Sequence, residues 1–128
     1  MTSVLGYWSD GVLDPHAVEN AELSLREDGT GWLYWVSWSG SFLVHRFTWT
    51  STENSLNLRF GVCLSGTWSL DDEKNTVHEV EERESDPRDV TLGYTVDTDG
   101  TLTFSEPVLL GLAGTRFART TPVPDPTR

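Results

Sequence analysis

The sequence predicts an all-β protein, an up-and-down antiparallel barrel of about eight to ten short strands. Three observations lead there. Apolar and polar residues alternate along most of the chain, as in "AELSLRE" and "SLNLRFGVCL", and that period of two is the rhythm of a strand with two unlike faces. Asp28-Gly29 and Asp99-Gly100 fall between such runs, where hairpins require a positive φ. No helical pattern is long enough for a crossover connection, so neighbouring strands run antiparallel, and closing the sheet removes its edges.

Val4–Trp8 reads as the first strand. Asp14 as N-cap with Pro15 behind it predicts at most one short helical turn near 15–20. "AELSLRE" is the next strand, turned by "EDGTG". Strands follow at 32–38, 41–50 and 55–64, then a short one at 66–70 and a polar one at 75–83. Residues 90–96 meet 101–105 across "DTDG", and 115–121 close the set. Residues 1–121 therefore form one barrel domain. Residues 122–128, with prolines at 122, 124 and 126, form an extended or disordered tail that cannot pair in a sheet.

Composition excludes some partners. The net charge is -11, with 20 acidic residues against 9 basic ones that do not cluster. Nucleic acid and anionic membranes are not expected, because both demand a basic patch. The N-terminus lacks a signal-peptide pattern and no apolar run reaches membrane-spanning length, which predicts a cytoplasmic protein.

Gly6-Tyr7-Trp8 in the first strand and Thr115-Arg116-Phe117 in the last together resemble the calycin superfamily of lipocalins, fatty-acid-binding proteins and avidins. The "DGTG" turn and Phe47–Trp49 resemble small bacterial lipocalin-like proteins of unassigned role. The resemblance implies a barrel closed at one end by Trp8, with a last-strand guanidinium across its indole. Arg116 is the implied partner, or Arg119 if the register differs. Residues 9–20 are too few for the helical hairpin of fatty-acid-binding proteins, and Ala118 replaces the tyrosine of their carboxylate-gripping Arg-x-Tyr.

With a three-residue loop at "EDGTG", Leu25 faces Leu33, and Leu33, Trp35 and Ser37 point inward. The inward sets that follow are Leu43, His45, Phe47 and Trp49, then Leu56, Leu58, Phe60 and Val62. Val90, Leu92, Tyr94 and Val96 continue them. Trp32, Tyr34, Trp38 and Phe42 are left outside, which predicts a homodimer through that aromatic face. A two-residue loop would exchange the faces.

The leading functional expectation is a non-enzymatic binding protein holding an apolar or aromatic small molecule. Its lining is Trp35, His45, Phe47, Trp49, Leu58, Phe60 and Tyr94, with Arg116 as the carboxylate candidate. One alternative is a filled barrel acting as a protein-interaction module through its outer aromatic strands or its acidic 71–89 segment. Another is a cofactor-free cyclase or isomerase with His45 as its acid–base group. The plain alternative for His45 is a hydrogen-bonded core histidine. Arg46 and Arg59 read as outward stems. No metal or cofactor is expected: His78-Glu79 lacks the second histidine of a zinc helix, and "DTDGT" has Val108 where a calcium loop needs glutamate. Cys63, the single cysteine, reads as a small packed residue.

Overall fold

A computed structural model describes residues 4–11, 19–108 and 115–121. Its eight strands are β1 Gly6–Ser9, β2 Glu19–Leu25, β3 Thr30–Ser37, β4 Ser41–Ser51, β5 Ser55–Leu70, β6 Thr76–Val96, β7 Thr101–Phe104 and β8 Arg116–Thr120. Each pairs antiparallel with its sequence neighbours, and β8 returns to β1, so the barrel is closed. There is no helix among the described residues. The helical turn expected near 15–20 falls largely outside them, and Glu19 and Asn20 already belong to β2. The tail at 122–128 lies outside them entirely.

Four hairpins share one turn. In the first, the Gly29 N–H donates to Arg26 O and the Arg26 N–H to Thr30 O. Ser37–Gly40, Asp71–Lys74 and Asp97–Gly100 repeat the closing bond. The last turn residue is left-handed in every case: Gly29, Gly40 and Gly100 at φ 85, 104 and 89, and Lys74 at φ 68. A type I turn ending in that conformation matches the twist of the strands it joins. The three-residue loop is therefore present, but Leu25 faces Gly31, and it is Leu23 that faces Leu33.

The polar stretches expected as separate strands are instead the far halves of β5 and β6, 16 and 21 residues long. Irregularities carry them. His45 and Phe47 on β4 stand opposite Cys63 and Phe60, so β5 holds one extra residue there. A bulge of this kind exchanges the faces beyond it. Leu56, Leu58 and Phe60 point inward before it, and Cys63 points inward after it. This corrects the expectation for Val62, which packs with the other face. The Asp86–Pro87 region of β6 takes a similar shift opposite Phe60 and Val62, and a bulge is where a strand tolerates proline.

Residues buried on both faces form two clusters. The interior cluster draws on all eight strands and includes Trp8, Leu23, Leu33, Phe47, Leu58, Phe60, Leu92, Leu102 and Phe117. The second contains Tyr7, Trp32, Tyr34, Phe42, Val44 and Leu64, flanked by Val36, Val62 and Trp68. Alternation within each strand places it on the opposite face of the sheet.

Candidate functional site

The seam between first and last strands is built around Trp8. Its indole is fully buried and its N–H donates to Val4 O at 2.9 Å. The guanidinium above it belongs to Arg119, whose Cζ lies 4.2 Å from the ring centroid and whose Nη1 donates to Leu5 O at 2.7 Å. Arg116 is not the partner. Phe117 takes the inward position of β8, so Arg116 falls on the other face, exposed and opposite Thr103. Arg119 shares the face of Phe117 and pairs with Trp8 in register. Arg116 is thereby also removed from any interior carboxylate grip.

The expected lining does not converge on one cavity. Phe47, Leu58 and Phe60 are packed in the core, with the Phe47 and Phe60 rings 5.6 Å apart. Trp49 and Tyr94 are half-buried at one end, where Trp49 Nε1 donates to Arg26 O and Thr30 O and the Tyr94 hydroxyl to Thr52 O. Trp35 stands six β4 residues away from them, opposite Leu43, which is roughly 20 Å along a strand.

Among the described residues the barrel opens at the Trp35 end, and strand length is the reason. β5 and β6 run on, whereas β7 has 4 residues, β8 has 5 and β7 meets β6 only at Tyr94–Val96. An open groove of about 500 Å³ lies along β3–β6 there, lined by Trp35, Leu43, Ser65, Glu81 and Glu82 among others. Trp35, Leu43, Ser65 and Glu82 form one cross-strand row on the inward face. The Trp35 indole nitrogen is buried without a hydrogen-bond acceptor. Leu33, His45, Cys63 and Glu84 form the next row down the same face.

His45 is 6% exposed, and its Nε2 lies 3.6 Å from the Cys63 sulfur. Burial holds the imidazole below its ordinary pKa, helped by Arg88 and opposed by Asp86. Burial likewise raises the Cys63 thiol, with Glu84 and Asp86 adding to the effect and Arg88 opposing it. The pair is therefore a neutral thiol beside a neutral imidazole. It is not an activated thiolate, which requires a depressed pKa.

The second cluster corrects another expectation. Trp32, Tyr34 and Phe42 are 5%, 9% and 1% exposed, so they do not form an open aromatic face; Trp38 alone of that set is exposed. Inside this cluster is a polar chain that sequence reasoning missed. The Tyr7 hydroxyl donates to Glu22 Oε2 at 2.5 Å, Glu22 faces Tyr34 in register, and the Tyr34 hydroxyl lies 2.7 Å from His78 Nε2. Burial raises Glu22 above the usual carboxylate range, lifts Tyr34 to about 12 and lowers His78. The polar Glu22 within "AELSL" was the available sequence signal. His78 gave none, since its contact with Tyr34 spans 44 residues. The His78 ring also lies 4.9 Å from that of Phe42, and a Cβ at Gly66, the residue opposite Phe42, would run into the Glu79 backbone.

No helix among the described residues is long and apolar enough to cross a membrane, and no three His, Cys, Asp or Glu side chains among them converge as a ready metal set. Compared with protein-family models, curated proteins and solved structures, the chain gives no match.

Proposed function

We propose that the protein is a non-enzymatic binder of a small aromatic or apolar molecule, seated in the open groove at the Trp35 end of the barrel. The observation that carries this reading is the groove itself. Its volume of about 500 Å³ falls within the range of small-molecule sites, about 300–1,000 Å³. Trp35 and Leu43 supply apolar wall, Ser65 a hydroxyl, and the exposed Glu81 and Glu82 an acidic rim. That rim favours a ligand carrying a positive charge over an anionic one. Kinship with lipocalin-like proteins belongs to the same proposal, supported by the closed meander and the Trp8–Arg119 stack.

Titration of aromatic amines, neutral aromatics and aromatic carboxylates, followed by tryptophan quenching and chemical-shift mapping, tests it. Amines should bind best and shift the Trp35 indole and Ser65 amide signals, and Trp35→Ala should weaken binding by about tenfold or more. A panel that leaves Trp35, Leu43 and Ser65 unmoved refutes the proposal.

One observation favours a second reading, a protein-interaction module. Trp38, Leu70, Val77 and Val80 are exposed at the far hairpin ends, beside the acidic β5–β6 arm. A homodimer through Trp38 would appear as a concentration-dependent mass in sedimentation, and Trp38→Ser would abolish it.

A further inference from the structure

We propose that the outer edge of β6 docks an extended basic segment of another protein, one carrying Lys or Arg at every second position. β6 is 21 residues long, and β7 meets it only at Tyr94–Val96. From Thr76 to Ser85 its one strand partner among the described residues is β5. In an antiparallel pair every second residue turns its N–H and C=O away from the partner strand. That stretch therefore presents a row of donors and acceptors to an incoming strand. Every side chain along it except His78 is exposed.

The side chains decide which strand fits. Glu84, Glu82 and Glu79 stand opposite Cys63, Ser65 and Thr67. Those three alternate along β5, so the three carboxylates share one face of the sheet. Glu81 is the extra residue that keeps Glu79 in this row, since Gly66 pairs with Val80 and Ser65 with Glu82. The other face carries His78, Val80 and Arg83, opposite Trp68, Gly66 and Leu64. Opposite charges facing each other across strands are stabilising. An incoming strand with a cation at every second position therefore meets the glutamate row. Its intervening residues lie on the face of Val80, which is 43% exposed and offers apolar contact.

A second copy of the chain is the poorer occupant. Laid antiparallel on this edge, it would set the Glu79, Glu82 and Glu84 row against itself, and like charges directly opposite are destabilising. Each chain also carries a net charge of -11, which opposes the approach of two copies. The charges that keep like strands off the edge thus select a basic one. This partner differs from the Trp38 homodimer, and the proposal needs neither that dimer nor a ligand in the groove.

Hydrogen exchange and amide chemical-shift mapping of the whole chain, with a synthetic Thr-Lys-Val-Lys-Val-Lys-Thr peptide at low salt, test the edge. Alternate amides of 76–85 should exchange rapidly in the free protein, and the peptide should shift and protect them. Added salt should weaken the binding. A peptide with glutamate in place of lysine should not bind. N-methylation of one of the two alternate sets of peptide amides keeps every charge and should weaken binding by about tenfold or more. Glu79→Lys combined with Glu84→Lys, both exposed and outside the groove lining, should weaken it by about tenfold or more. If that variant does not fold, the peptide series on the native protein still decides. Slow exchange along 76–85 before peptide is added, no binding, or equal binding of the glutamate peptide or of both N-methylated peptides overturns the proposal. So does an unchanged affinity in the folded double variant. Binding that moves Trp35 and Ser65 but leaves the β6 amides unprotected overturns it too, and leaves the groove reading standing.

Discussion

Arg119→Ala removes the guanidinium that spans the barrel seam, and its cost can be worked from the contacts. A cation 4.2 Å from an indole centroid contributes about 0.5–2 kcal/mol, with the lower half applying to an exposed cation. The hydrogen bond to Leu5 O comes from a charged donor and contributes about 1.5 kcal/mol. Releasing the arginine returns rotamer entropy of up to about 1.5–2 kcal/mol, less for a side chain that is only partly ordered. The net loss should be about 1–2 kcal/mol. With a urea slope of about 1–3 kcal/mol per molar, the unfolding midpoint falls by roughly 0.3–2 M. Tryptophan fluorescence in a urea series measures it. Arg116→Ala is the control, because that side chain is exposed on the other face and should stay within about 0.5 kcal/mol. Gly6 adds a further constraint. A Cβ there would collide with the Arg119 guanidinium, so Gly6→Ala should cost less on an Arg119→Ala background than alone. Equal midpoints for the two arginine variants, or strict additivity with Gly6→Ala, would refute the seam.

Two other outcomes follow from the packing and burial of the barrel. Gly66→Ala should destabilise by several kcal/mol, as overpacking against backbone cannot be relieved by a rotamer change; loss of the Tyr34–His78 contact by NMR would accompany it, and a neutral effect would contradict the close β5–β6 approach. The second outcome concerns pH. His45 and His78 are held below the ordinary value of 6.5, so on acidification the unfolded chain takes up protons first. Their contribution is full above about pH 6.5 and declines as pH falls, with a slope of at most about 1.4 kcal/mol per pH unit for each. The raised Glu22 acts oppositely, its contribution declining as pH rises above 4.5. Urea midpoints between pH 7 and 5.5 should therefore fall, and fall less in His45→Gln; identical profiles would remove His45 from the account.

Strand alternation and Asp-Gly turns were enough to read a closed meander, because both are local and the turn chemistry leaves few alternatives. The seam was legible as a device, though its arginine was not. Arg116 and Arg119 stand on opposite faces of one strand, and only the inward claim of Phe117 decides between them. Alternation also named Leu33, Phe47, Leu56, Leu58, Phe60 and Leu92 as interior. It failed at Val62, since an inserted residue leaves the polar–apolar rhythm nearly intact while exchanging every face after it. The aromatic run "WLYWVSW" was harder still. A strand buried on both sides has no contrast to read, and surplus apolar residues then look like exposed surface.

The open groove and the rung below it share that origin. A barrel stays closed only as far as its shortest walls reach, and here β1, β7 and β8 have 4, 4 and 5 residues while β6 has 21. Beyond the rung where Trp8, Leu23, Leu33 and His45 align, the inward face has no opposite strand among the described residues. Apolar side chains placed there would meet water, and the sequence indeed turns polar, to Cys63, Ser65, Glu82 and Glu84. Strand length is set by pairing across the whole sheet, so it cannot be read from any one segment. Yet the change from Leu56, Leu58 and Phe60 to Cys63 and Ser65 along β5 marks the point where the packed core gives way to the open groove.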